Sequence, residues 1–164
     1  MSIAIVPIAL QHADSYRACL DTVAREKRYL AQVEALPIER IRAFVQESVA
    51  ADAVQFVALD GERVVGWADI FAAWQPVLAH CGRLGMGVHP DYRGQGHGER
   101  LLSACIAKAR AKGITRVELE TRIDNARAIR LYEKLGFGHE ARKENAMRFD
   151  GAYFDALQMC LILS

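Results

Sequence analysis

The sequence predicts one α/β domain, and three observations carry that prediction. Strand-like apolar runs recur along the chain, with strict alternation at residues 116–120. Between such runs stand segments whose apolar residues repeat at helical spacing, such as Leu101, Leu102, Cys105, Ile106 and Ala109. The chain has 164 residues, 52% of them hydrophobic and 25% charged. That is the size and composition of one ordinary domain, and it excludes a disordered or collagen-like chain. No repeat, low-complexity segment or linker divides it, so residues 1–164 read as a single unit.

Residues 3–8 form a first strand, closed by Pro7 and the polar pair Gln11-His12. Tyr16, Cys19, Leu20 and Val23 predict the helix that follows, which runs into the charged string Arg25-Glu26-Lys27-Arg28. Pro37 suits the start of a second helix, with Ile38, Ile41, Val45 and Val49 on one face. Residues 55–59 and 64–70 make two strands about a hairpin turn at Asp60-Gly61. After a loop around Gln75-Pro76, residues 81–88 are a further strand, ended by His89-Pro90. A Gly-rich turn at residues 94–98 opens a helix that Lys112-Gly113 stops, with a cation in its last turn and Gly beyond. Residues 116–120 predict a strand with one wet face. Asn125 is a good N-cap for the helix of Ala128, Leu131 and Leu135, which Gly136 ends. Two strands around Asp150-Gly151 close the chain. In the last of them Leu157, Met159, Leu161 and Leu163 share one face, and Ala156, Cys160 and Ile162 the other, so it is expected to be buried on both sides.

Lys and Arg total 21 against 20 Asp and Glu, a formal net charge of +1. That balance argues against an obligate nucleic-acid partner, which would lean on excess basic charge. It leaves room for a local site for an anionic co-substrate. The cysteines at 19, 81, 105 and 160 never form C-x-x-C, so neither zinc spacing nor a disulfide framework is expected. Cys81, Cys105 and Cys160 read instead as small buried hydrophobes, in a reducing cytosol. The apolar N-terminal run has no basic segment before it and meets His12 and Asp14 at once, so it reads as a strand and not a signal peptide. No apolar run approaches the ~20 residues of a membrane span. A soluble, cytoplasmic protein without a metal is the expectation.

The segment with the most chemistry runs from Gly87 through Val88-His89-Pro90-Asp91-Tyr92-Arg93-Gly94-Gln95-Gly96-His97-Gly98-Glu99. A strand stops, glycines crowd together, and an amphipathic helix starts. Glycine lets consecutive backbone N–H groups converge, and the helix start adds partial positive charge. Together they make a cradle for a phosphate or pyrophosphate. The spacing is neither a P-loop nor a dinucleotide-binding fingerprint. Arg93, Gly96 and Gly98 do match R-x-x-G-x-G, and here the sequence resembles the GNAT superfamily of acyl-CoA-dependent N-acyltransferases. The run from Asn125 through Ala128, Leu131, Tyr132 and Lys134 to Gly136-Phe137 is similar to that family's N-x-x-A-x-x-[LF]-Y-x-K-x-G-F helix.

The resemblance implies a three-layer fold with a mixed, mostly antiparallel central sheet of about seven strands flanked by helices. It implies acetyl transfer from acetyl-CoA to an amine acceptor, a small molecule or a peptide, and a homodimer is common among such relatives. The CoA pyrophosphate would rest on backbone amides of Gly94, Gln95, Gly96, His97, Gly98 and Glu99, with Arg93 supplying positive charge. The pantetheine arm would pair with the strand edge at Met86, Gly87 and Val88, and the Val88 N–H would face the thioester oxygen. Asn125 would bond the pantetheine or its neighbourhood. Tyr132 would give a proton to the departing thiolate. Many relatives carry an acid where this chain has Arg83, and arginine cannot act as a base. Asp69, His80 and Glu26 are the substitutes, directly or through water. Trp67 and Trp74 are candidates to wall the acceptor side, and Glu26 or Glu34 to attract a cationic amine.

Plainer readings stand beside these. Tyr132 can be a core tyrosine, Asn125 only a cap, and Trp67 and Trp74 core or interface. His97 reads as a solvent-facing passenger and His89 as a turn residue. The whole can be an acyl-CoA-binding or sensing module without turnover, or a structural α/β domain.

Overall fold

Alternation gives each strand two faces, and both are used because helices pack on either side of one sheet. A computed structural model of the chain describes residues 2–164. The elements run β1 (Ala4–Pro7), α1 (Ala13–Arg25), α2 (Ile38–Ala50), β2 (Val54–Asp60), β3 (Arg63–Ala72), β4 (Cys81–Val88), α3 (His97–Ala111), β5 (Arg116–Arg122), α4 (Ala126–Lys134), β6 (Gly138–Phe149) and β7 (Ala152–Ile162). The seven strands form one sheet in the order β1-β2-β3-β4-β5-β7-β6. Every neighbouring pair is antiparallel except β4 and β5, which are parallel. This is the mixed, mostly antiparallel three-layer arrangement expected.

On one face α1 and α2 bury Tyr16, Cys19, Leu20, Val23, Ile41 and Val45 against Val57, Val64 and Trp67. On the other, α3 and α4 bury Leu101, Leu102, Cys105, Ala109 and Tyr132 against Ala68, Ile70, Leu84, Val117, Leu119 and Met159. Each such aliphatic side chain removed from water contributes about 1.5–3 kcal/mol. The tight turn at Asp150-Gly151 has φ of 49° and 83°, the left-handed pair that a two-residue hairpin with right-handed strand twist needs.

Three sequence expectations need correction. Ile162 is 67% exposed and Cys160 only half-buried, so β7 is not covered on both sides. The helix pair α1–α2 packs over β2 and β3 and leaves its face of the sheet open farther along. Val49, at the end of α2, is exposed for the same reason, and the buried row there is Ile41, Val45 and Ser48. Asn125 stands at the N-cap of α4, but its side chain caps nothing. With ψ at 67° its backbone is not extended as a side-chain cap requires. Its Nδ2 donates to Thr121 Oγ1 at 3.3 Å instead.

The feature that positions the site is a parting of strands. β4 and β5 pair only at Cys81↔Arg116, Gly82↔Val117 and Arg83↔Glu118. Beyond that they separate, leaving a notch open toward the C-terminal ends of both strands.

Candidate functional site

Backbone groups facing the notch follow from the pairing on the other side of β4. Ala73 N–H donates to Cys81 O at 3.0 Å and His89 N–H to Val65 O at 2.8 Å. Odd-numbered positions therefore turn their polar groups toward β3 and even ones toward β5; the Leu84 N–H is still taken by the Arg83↔Glu118 pairing, and Met86 and Val88 turn theirs toward the notch. An unpaired backbone edge of this kind wants an extended partner. Met86 and Val88 stand where the sequence placed them. Gly87 does not offer its N–H there, because its polar groups face β3. Its lack of a side chain matters instead: a Cβ would lie 2.3 Å from Trp67 Cη2.

At the mouth of the notch, Gly94 and Gly96 have φ of 73° and 84°, left-handed values that favour glycine. Gly96 is the N-cap of α3, and no side chain caps that helix. The first intrahelical bond is Arg100 N–H to Gly96 O, so the amides of His97, Gly98 and Glu99 have no intrahelical acceptor. A Cβ on Gly98 would meet Met86 Cε at 3.2 Å and Leu131 Cδ2 at 3.4 Å, so glycine there lets α3 start hard against β4 and α4. Converging amides at the positive end of a 15-residue helix favour an anion. His97, expected to face solvent, is 8% exposed, and neither ring nitrogen has a partner among the described residues. The first turn of α3 rotates it inward, beside Asp60, Tyr92 and Arg100.

Arg93 also departs from expectation. Its Nε donates to Val88 O at 2.9 Å, and its two terminal nitrogens donate to Glu26 at 2.9 and 2.6 Å. Glu26 is thereby committed to Arg93 and is not free to attract an amine. Glu34 is exposed and pairs with Arg25 at 3.5 Å.

On the α1–α2 face, Asp69 lies directly over Gly85, whose Cβ would be 3.0 Å from Asp69 Oδ1. Burial pushes the Asp69 carboxyl up to about 7, against the pull of the Gly85 N–H. On the same face Tyr16 is buried, and Ser48 Oγ donates to Gln55 Oε1 at 2.6 Å while Gln55 Nε2 has no partner among the described residues. Farther along this face a polar pocket of about 240 Å³ is bordered by Arg83, Glu118, Glu120, Lys143 and Gln158. Glu120 is just past the last β4–β5 pair, bonded to Lys143 and 3.7 Å from Arg83. Sequence reasoning missed Glu120. Its alternation with Glu118 marked one face, but only the parallel pairing puts that face at the parting.

Tyr132 is 7% exposed in the α4 face of the core, 5.8 Å from the Phe137 ring centroid, and burial pushes its hydroxyl up to about 12. Trp67 is core, edge-on to Tyr16 at 5.9 Å. Trp74 is 86% exposed on the β3–β4 loop and walls nothing. His80 precedes β4, and at about 3.3 Å per residue that puts it about 26 Å from Val88, outside the site. His89 is a turn residue, accepting from Asp91 N–H at 3.2 Å.

A family model described as acetyltransferase (GNAT) family matches residues 17–137. The [ribosomal protein bS18]-alanine N-acetyltransferase of Escherichia coli K12 is 37% identical over 94 residues, 57% of this chain and 64% of that protein. The chain thus matches less than two thirds of that relative's length. Among solved structures, a GNAT-family acetyltransferase from Streptococcus pneumoniae superposes with a TM-score of 0.92 at 24% identity, covering 99% of this chain and 100% of that one. A putative acetyltransferase from Salmonella typhimurium, solved with its cofactor acetyl-CoA, gives 0.93 at 20% identity, covering 100% and 95%. No helix among the described residues is long and apolar enough to cross a membrane.

Proposed function

The chain belongs to the acetyltransferase (GNAT) family, and from that premise we propose that it moves an acetyl group from acetyl-CoA, its co-substrate, to a primary amine by direct attack. The observation that carries this reading is the parting of β4 from β5 with the uncapped start of α3 at its mouth. Residues 1–164 act as one domain in it, with Met1 outside the described residues.

The amides of residues 94–99 hold the pyrophosphate, and the notch edge at Met86 and Val88 pairs with the pantetheine arm. Asn125, at the open end of β5, flanks that arm. The Val88 N–H stabilises the oxyanion as the amine nitrogen bonds to the thioester carbon. Asp69, ionised above about pH 7, takes the proton that the ammonium must lose, directly or through water. The carbon–sulfur bond then breaks, and the Tyr132 hydroxyl, protonated at neutral pH as any phenol is and held so more firmly by burial, donates to the thiolate. A thiol near ~8.5 is the stronger acid, so this donation is a hydrogen bond to the leaving sulfur before it is a completed proton transfer.

The names of the curated relatives support a protein alanine amine as the first acceptor to try. The test is release of free CoA thiol from acetyl-CoA with a peptide beginning in alanine, free amino acids and polyamines, beside calorimetry of CoA alone. We expect CoA binding, and turnover with at least one amine that rises with pH through neutrality. Binding without turnover on any amine favours a sensing module, and absence of binding overturns the reading.

A further inference from the structure

Val88 O belongs to the notch-facing set of β4 groups, where the neighbouring strand has already parted. A carbonyl there loses its ladder donor, and Arg93 Nε fills that place at 2.9 Å. The rest of the guanidinium is taken up by the end of α1 and the segment after it. It makes a two-pronged pair with Glu26, the C-cap of α1, and lies over the Tyr29 ring at 4.6 Å from the centroid. Only 18% of the Arg93 side chain is exposed.

We propose that Arg93 is a positioning residue rather than a phosphate ligand: it holds the last peptide of β4, and so the Val88 amide, in the geometry acetyl transfer requires, and ties it to the α1–α2 segment. The proposal rests on the reading of Val88 as the oxyanion donor. Charge supports it, since Glu26 cancels the Arg93 charge locally and leaves anion attraction to the backbone amides. Shape supports it as well. A planar fork can serve Val88 O, both Glu26 oxygens and an aromatic face at once, and the point charge of a lysine cannot.

The two roles predict opposite results in Arg93→Lys and Glu26→Gln. As a phosphate ligand, Arg93 would be freed by Glu26→Gln and CoA would bind more tightly, while Arg93→Lys would weaken CoA. As a positioning residue, both variants lower kcat at saturating acetyl-CoA by about 10- to 100-fold, because a small misplacement is enough. Calorimetric Kd for CoA then stays within about twofold. The Val88 amide resonance of the free protein shifts in both variants, a readout independent of CoA, and melting curves identify any variant that has lost its fold. Unchanged kcat, a tenfold or greater loss of CoA affinity, tighter CoA in Glu26→Gln, or an unmoved Val88 resonance overturns the proposal. If the unmodified protein binds no CoA, the functional reading fails instead, and the Val88 resonance still reports on Arg93.

Discussion

In the proposed mechanism Asp69 sets activity against stability in one side chain. Its carboxyl, raised from 3.8 to about 7 by burial, keeps a proton in the native state that the unfolded chain has released. Native stability from this group is therefore full below about pH 4 and is lost as pH rises toward about 7. Three pKa units correspond to about 4 kcal/mol as an upper bound. Asp69→Asn keeps an oxygen for the Gly85 N–H and carries no charge. It is expected to melt above the unmodified protein at pH 8, with the difference fading toward pH 4, while its acetyl transfer no longer rises through about pH 7. A lower melting temperature at pH 8 would refute the buried-charge account. If the pH rise survives in Asp69→Asn but vanishes in Glu120→Gln, the base is on β5. In the proposed mechanism Tyr132→Phe removes a group that meets charge only as the thiolate leaves, so kcat should fall by about 10²–10⁴-fold with CoA affinity little changed. An unaltered kcat would return Tyr132 to the core, where 7% exposure already allows it to belong.

At the scale of elements, the proposed function makes the glycine turn the pyrophosphate cradle. Gly96 is left-handed with nothing within 4 Å of where a Cβ would be, and Gly98 has Met86 and Leu131 against it. Gly96→Val therefore acts through backbone strain and Gly98→Val through contact. Both are expected to weaken CoA by about tenfold or more while the far-ultraviolet circular dichroism stays near that of the unmodified protein. Equal CoA affinity in both variants would remove the turn from the binding site. These glycines were legible in the sequence because a turn and a helix start are local patterns. Arg93 was legible only as a charge, because Glu26 stands 67 residues away and its pairing is a tertiary fact. Trp67 and Trp74 share one chemistry, yet one is on a central strand and the other at a loop tip, which composition does not separate. His97 was misread for a similar reason, since a polar side chain in a loop motif gives no sign that the helix turns it inward.

For the whole molecule, the parting of β4 from β5 means that one parallel pairing of three residues holds β1–β4 to β5–β7 within the sheet. The helix layers supply the rest, with α3 and α4 packing Leu101, Leu102 and Tyr132 across both halves. A ligand lying along the notch edge adds the missing hydrogen bonds, so acetyl-CoA should stabilise the fold globally and protect particular amides locally. At about a hundredfold excess over Kd the gain is about 2.7 kcal/mol, or roughly 5–10 °C in Tm for a chain of this size. Hydrogen exchange should separate this from unspecific tightening. Met86 and Val88 face the notch and should slow most on addition of acetyl-CoA, because their amides gain a partner they lacked, whereas the Leu84 amide is already held by the Arg83↔Glu118 pairing. Gly85 and Gly87 face β3, are already paired, and should change only as much as the sheet around them. Equal slowing at odd and even positions of β4 would mean that the ligand stabilises the protein without lying along this edge, and the site would have to be sought elsewhere on the sheet.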